Sequence, residues 1–489
     1  MASLQELRAE RLDKLEKLKA AGKEVYPVES KLTNTLASLN KVFTVLAKSE
    51  KEVTVGGRVR AIRGQGAIIF ADLDDGTGNI QILLKKGELK DGELELFEET
   101  VDLGDIISAT GSVFLTKRGE KTVLVKNWQM LAKSLRPLPD KWEGLKDTEE
   151  RFRRRYLDSL MNGEVKKRFI YRSQLIAEIR KFLDKDGFLE VETPILQPVP
   201  GGATATPFIT HHEALDLDLY LRVAPELYLK MMLIGGFPKV YELGRSFRNE
   251  GIDVTHNPEF TTIEVYASYS TPVEERKRVE LLFKSVVKKL FKQSSFTHAG
   301  QKVDFSKKFS VVTFYELLQR YAMISNPESI SDKELVLKAS QMGVKVEPSD
   351  HREKIMDNIY KKVCRSKLIQ PTFIIDYPVA FAPLAKRKES NHELIDRFQL
   401  IVGGMELVNG FAELNDPLDQ RGRFEEQEKK KAAGDTEAQV KDEDYLEAME
   451  YGLPPACGWA IGIDRLAMLL TDTQNIREVI YFPTLRPKE

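Results

Sequence analysis

The stretch Gly244–Tyr266, "GRSFRNEGIDVTHNPEFTTIEVY", gathers Arg245, Arg248, Glu250, His256, Glu259 and Glu264 around one turn region. Its flanks read as paired strands, with "EGID" and "HNPEF" forming the connection. Residues two apart on a strand share a face, so Arg248 projects with Glu250 and Glu264 with Tyr266. Such strands present an arginine to an anion and carboxylates to a cation in one pocket. The competing reading is a surface hairpin whose exposed ion pairs contribute little.

Two further stretches favour the pocket. "RVAPELYLK" puts Glu226 directly after an apolar strand, where a buried, unpaired carboxylate is costly. "GGMELVNGFAELND" places Asn409, Phe411 and Glu413 on one strand face. Glu226, Glu264 and Glu413 then make an acidic pocket for a ligand with a positive side chain. Near the end, "GWAIGIDRLAMLL" is a glycine-rich strand leading into a helix at Asp464 and Arg465. Arg465 and Arg248 together offer two arginine ends to one polyphosphate.

Around these motifs helix and strand patterns mix. "FIYRSQLIAEIRKFLDKDGF" is an amphipathic helix stopping at Gly187. "ALDLDLYLRVA" alternates strictly, which predicts a strand with Leu215, Leu217, Leu219, Leu221 and Val223 on one face. "TTIEVYASY" and "ELVNGFAEL" are strands too. Helices do not separate the strands regularly, so a mostly antiparallel sheet with flanking helices is expected. "RFEEQEKKKAAGDTEAQ" reads as a charged, solvated helix.

The pattern before this region differs. Five short strands between Val53 and Leu131, broken by turns such as "DDGTGN", suit a small closed barrel of the OB type. The first residues form an amphipathic helix with a Ser3/Glu6 capping box and a stop at Gly22. Its basic residues read either as a solvated face or as a contact with RNA backbone. "RFRRRY", after the proline-containing "LRPLPDK", reads as a helix face paired with Glu149 and Glu150, or as a phosphate contact. The division expected is 1–48 helical extension, 49–135 barrel, 136–160 linker and 161–489 α+β catalytic domain.

Composition limits the rest. The 489 residues carry a formal net charge of −1, so a polyanion must be held by a local patch. The two cysteines, Cys364 and Cys457, exclude a disulfide framework and fit a reducing cytoplasm. No stretch approaches membrane-spanning length, and the N-terminus is not a signal peptide.

The chain resembles the class II aminoacyl-tRNA synthetases, and within them the lysyl-tRNA synthetases. "GFLEVETPIL" resembles motif 1, Gly244–Tyr266 motif 2 and "GIDRLAMLL" motif 3; "PGGA", "HHEALD", "APELYLK" and "ELNDP" extend the likeness over nearly the whole chain. The resemblance implies ATP, L-lysine and tRNA(Lys) as partners, Mg2+ as cofactor and a homodimer meeting at motif 1. It implies that Arg248 meets the α-phosphate and Arg465 the γ-phosphate end. Phe260 stacks on adenine, with His256, Asn257, Glu250 and Glu406 also at ATP. Gly202, Glu226, Glu264, Tyr266, Asn409 and Glu413 hold lysine. Phe70 and Gln81 read the anticodon, although Phe70 alone is equally a core residue.

Glu406 matches a magnesium ligand, but Gln399 stands where the family commonly has a second acidic one. Asn127 replaces an acid near the anticodon. Strict alternation also puts Glu406 opposite Asn409 and Glu413, so one shared site requires a bulge near Val408. Three alternatives remain: an aspartyl or asparaginyl enzyme, which should need fewer acids; a lysine-type protein modifier, which should lack the barrel; and a non-catalytic RNA-binding paralogue, which should lose Arg248, Arg465 or Phe260.

Overall fold

Alternation sets the first unit. In Ile68–Asp74 and Asn79–Lys85, Ile69, Ala71, Leu73, Ile80, Ile82 and Leu84 turn inward and are buried. With Val53–Gln65, Ile106–Leu115 and Lys121–Ala132 they close a five-stranded barrel. The turn after Asp74 is tied by Asp75, whose carboxylate accepts from the Thr77 and Gly78 amides at 2.8 and 3.0 Å. The computed structural model describes residues 3–49, 51–139, 145, 147–347, 350–432 and 438–488. The chain divides into two compact units, Met1–Lys146 and Asp147–Glu489.

The first helix, Leu4–Ala20, has the expected capping box, and Gly22 takes a φ of 74° just past its end. Part of its basic face is a solvated one with compensating acids, as Lys17 pairs with Glu99 and Lys19 with Glu16, and part is engaged within the unit. Arg11 is buried and donates to the Leu103, Ser134 and Arg136 carbonyls, and Lys14 pairs with Asp102 at 2.7 Å. Leu15 and Leu18 join Leu36, Leu39 and Phe43 of a second helix, Leu36–Ser49, in the barrel's core.

The second unit is built on a nine-stranded sheet. Its order is Ser310–Thr313, Thr372–Pro378, Asn391–Val402, Met405–Ala412, Ala456–Gly462, Glu259–Ser268, Lys239–Phe247 and Leu189–Glu190, with Arg387–Lys388 paired beside Asn391–Val402. Only the two outermost pairings are parallel. The helices Gly163–Lys185, Pro272–Phe291 and Ile463–Leu470 cover it through Ile179, Leu183, Phe283, Val287 and Leu466, which meet Ile263, Val265 and Trp459. Burying each such side chain contributes about 1.5–3 kcal/mol before the entropy of ordering is subtracted.

Two local expectations need correction, and a third is borne out in one of its two readings. "ALDLDLYLRVA" forms a strand only over Leu217–Leu221, because Asp216 turns the chain at a φ of 48°. That strand lies in a separate three-stranded sheet with Leu196–Gln197 and Phe208–His212, and Leu215 and Leu217 are exposed. The charged helix spans Pro417–Ala432, and it is not simply solvated: Gln420, Arg423, Phe424 and Gln427 are buried; 433–437 lie outside the described residues. In "RFRRRY" the pairing with its own helix prevails, with Arg153 on Glu149 and Arg154 on Glu150, while Arg155 is buried against Asp158.

Candidate active site

The hairpin Lys239–Phe247/Glu259–Ser268 pairs Glu242 with Glu264 and Val240 with Tyr266. Arg248 and Glu250 lie just beyond the first strand, not on it. The Arg248 amide donates to the Pro258 carbonyl at 2.8 Å, which closes the neck of the loop. Its guanidinium sits 5.1 Å from the Phe260 ring centre. Its buried Nε has no partner among the described residues, and the residue lines the cavity.

Within the loop, Asp253 accepts from the Thr255 and His256 amides at 2.6 and 2.8 Å. Burial opposes its charge, but these bonds and His256 hold its carboxyl down at about 2. His256 is thereby aimed at Arg465, with Nε2 3.1 Å from the guanidinium. Asp464 fixes the helix carrying Arg465: its carboxylate accepts from the Thr261 amide at 2.7 Å and from Arg172 at 2.6 Å. The two arginines implied by separate motifs thus open onto one cavity of about 480 Å³.

The same cavity is lined by Gly202, Glu226, Glu250, His256, Asn257, Phe260, Glu264, Tyr266, Gln399, Glu406 and Asn409. Glu413 is the exception: it lies behind the lining and is 1% exposed. A register shift makes the set possible. Leu400 pairs with Val408, but Ile401 pairs with Glu406, leaving Leu407 extra. The bulge turns Glu406 to the side of Asn409, as the sharing of one site requires.

The acidic end is densely built. Glu226 begins the helix Glu226–Ile234, and one turn on is Lys230, wholly buried. Lys230 Nζ lies 2.6 Å from Glu226 and 2.6 Å from Glu413. The Glu413 contact is off the hydrogen-bonding direction, so both its buried oxygens accept no hydrogen bond among the described residues. Tyr266 donates to Glu264 at 3.2 Å. Burial, reinforced by Glu226, pushes the Glu264 carboxyl up to about 8. Burial also raises Glu226 and Glu413, and Lys230 restrains both.

Small residues make the room. Gly202 has a φ of 86°, and a Cβ there would stand 2.9 Å from the Cβ of Glu226. A Cβ on Gly458 would stand 2.3 Å from the Tyr266 ring and 2.5 Å from Glu413. Gly458→Ala should therefore displace both, costing about 1–3 kcal/mol. Thermal unfolding should show a lower Tm, and the KM for the ligand of this end should rise; an unchanged Tm would contradict the packing described.

Sequence reasoning missed several residues. Lys230 had a local signal, the i, i+4 spacing in "ELYLK". Tyr377 and Arg397 had none: Tyr377 donates to the Gln399 amide oxygen at 2.5 Å, and Arg397 donates to Asn409 at 2.8 Å. Both pairings depend on neighbouring strands. In the barrel unit, Phe70 is half-buried and alternates with the inward Ile69 and Ala71, so it is not a core residue. Asp72 pairs with Gln81 in register, and Gln81 accepts from Thr122 at 3.0 Å.

Residues 147–486 match the family of tRNA synthetases class II (D, K and N), and residues 53–131 match the OB-fold nucleic acid binding domain. The chain is 47% identical over 484 residues to the Lysine--tRNA ligase of Moorella thermoacetica, covering 99% of this chain and 98% of that protein. The chain belongs to the lysine–tRNA ligase family. Similarity to the Lysine--tRNA ligase of Roseiflexus sp. is 45% over 487 residues, covering 99% of this chain and all of that protein. The Pelotomaculum thermopropionicum Lysine--tRNA ligase is 46% identical over 488 residues, 99% of this chain and 96% of its own length. As a class II synthetase of the lysine–tRNA ligase family, the chain is a ligase with ATP as a substrate. Membership also accounts for two arginines and an aromatic ring at one end of the cavity and carboxylates at the other.

Proposed function

We propose that the chain activates L-lysine with ATP and transfers it to the 3′ end of tRNA(Lys). The observation that carries this reading is the carboxylate cluster: Glu226 and Glu264 line the cavity with Glu413 buried behind them, and three acids against the single Lys230 cation are matched by a ligand bearing a distal ammonium group. The aspartyl and asparaginyl alternatives would leave these acids unneutralised.

Lysine lies with its ammonium groups toward Glu226, Glu264, Tyr266, Asn409 and Glu413, and with Gly202 covering the α-amino side. Its carboxylate attacks the α-phosphorus of ATP, the bond to pyrophosphate breaks, and lysyl-adenylate forms. The nucleophile is already ionised, so no strong general base is needed. Positioning and charge neutralisation carry the step. Arg248 neutralises the α-phosphate and Arg465, with His256, the γ-phosphate end. Phe260 stacks on adenine, while Glu250 and Asn257 hold the nucleotide. The terminal ribose of tRNA then attacks the adenylate carbonyl and AMP leaves.

Mg2+ fits as an ion carried mainly by the triphosphate. Glu406 offers one carboxylate, whereas the Gln399 amide oxygen is engaged by Tyr377 and brings no charge. Among the described residues there is no cluster of three His, Cys, Asp or Glu suited to a metal. When bound, the ion neutralises charge on the phosphates. Gln399→Glu should lower the Mg2+ concentration giving half-maximal pyrophosphate exchange; an unmoved midpoint would contradict Gln399 as a weak ligand.

The barrel reads the anticodon through Phe70 and Gln81, and stacking on an unpaired base contributes ~1–3 kcal/mol. The exposed Leu189, Ile195 and Leu196 of motif 1 support a homodimer meeting there. No described helix is long and apolar enough to cross a membrane. Aminoacylation of total tRNA with labelled lysine tests the reading. Charging that is lost when Phe70 becomes Ala supports it; charging with another amino acid instead of lysine overturns it.

A further inference from the structure

Lys230 belongs to the acidic end, yet the reaction above does not use it. Its ammonium group is fully buried, 2.6 Å from Glu226 and 2.6 Å from Glu413, with the Phe411 ring centre 5.4 Å away. A buried charge of this kind is retained only where its partners balance it. Glu226 opens the helix and Glu413 follows the strand Met405–Ala412, so Lys230 bridges two elements. An i, i+4 pair on the helix alone would leave Glu413 out.

We propose that Lys230 is a resident cation that bridges Glu226 and Glu413 and offsets one carboxylate charge at the amino-acid end, so that the site takes an amino acid with one distal ammonium group. This rests on the lysine reading of the cavity. The balance follows from counting charges. Glu226, Glu264 and Glu413 bring three negative charges when ionised and Lys230 returns one. The two ammonium groups of lysine cancel the remaining two, and its carboxylate faces Arg248. An amino acid with a neutral side chain leaves one buried carboxylate uncompensated, which is costly. Lys230 acts through the carboxylates and is a positioning residue.

Removing it has a directional consequence. Burial favours the neutral form of Glu226 and Glu413, and Lys230 is the group that opposes this. The other groups facing them are Glu264 and Tyr266 from Glu259–Ser268, Tyr445 from Glu443–Glu450, and Cys457 from Ala456–Gly462, which faces Glu413. None of these supplies positive charge, and Arg248 faces Glu264 instead. Without Lys230 the two carboxyls take up protons at higher pH, and lysine then meets fewer ionised acceptors.

The test uses the full chain in lysine-dependent ATP–pyrophosphate exchange from pH 6.5 to 9. The parent is assayed first: no lysine-dependent exchange there removes the lysine reading, and this inference with it. Given exchange in the parent, Lys230→Met should raise the lysine KM by about tenfold or more at pH 7, with the ATP KM within about threefold. The pH at which lysine affinity reaches its plateau should move up by about one unit. Lys230→Gln, which keeps a donor and drops the charge, carries the same expectation if the methionine variant does not fold. Lys230→Arg should restore a parent-like profile. A parent-like lysine KM and pH profile in a folded neutral variant overturns the inference, as does an equal rise in both KM values.

Discussion

Glu413→Gln should raise the lysine KM about 100-fold while leaving the ATP KM within about threefold. Losing one member of a buried charge pair costs about 2–5 kcal/mol, and each 1.4 kcal/mol is tenfold. Glu413 meets that description: it is 1% exposed, sits 2.6 Å from the Lys230 ammonium group, and its Oε1 accepts no hydrogen bond among the described residues. Lys230 keeps Glu226 at 2.6 Å in the variant, so the helix is not left with a lone buried charge. Steady-state exchange with lysine and ATP varied separately gives both constants. An equal rise in the two would mean that Glu413 supports the whole cavity and not the amino-acid end.

Arg248→Ala should lower the rate of adenylate formation about 10³-fold, the scale on which removing one preorganised donor from a developing anion acts. The neck bond to Pro258 uses the backbone amide and survives the substitution. What is lost is a guanidinium held over Phe260 at the cavity wall. Arg248→Lys should recover little, because a flexible point charge replaces neither the planar fork nor the stacking. Single-turnover formation of labelled adenylate measures the step directly. A rate within tenfold of the parent would place the α-phosphate elsewhere.

Much of this protein is legible in its sequence where local periodicity decides the outcome. The barrel strands alternate because one face is buried, and Ile80, Ile82 and Leu84 announce that face. The motif 2 hairpin is legible because Glu264 and Tyr266 share a side of one strand. Legibility fails where distant strands meet. The Tyr377–Gln399 and Arg397–Asn409 bonds follow from sheet register, and the grip of Asp464 on Thr261 spans some two hundred residues. The leucines of Leu215–Val223 misled for a different reason. They alternate like a core strand, yet Leu215 and Leu217 face outward within a single copy of the chain. Period two reports that a face is apolar, not what covers it. Lys230 was hidden by its own type, since a lysine in an apolar helix reads as a solvated edge until its two carboxylates are placed around it.

The central claim is that the acidic end selects lysine before any tRNA is involved. ATP–pyrophosphate exchange with each of the twenty amino acids, one at a time, in Mg2+ buffer without tRNA, tests it most directly. Exchange with lysine alone is the result predicted from Glu226, Glu264 and Glu413. Exchange with a different amino acid, or none from a folded protein that still binds ATP, would contradict it.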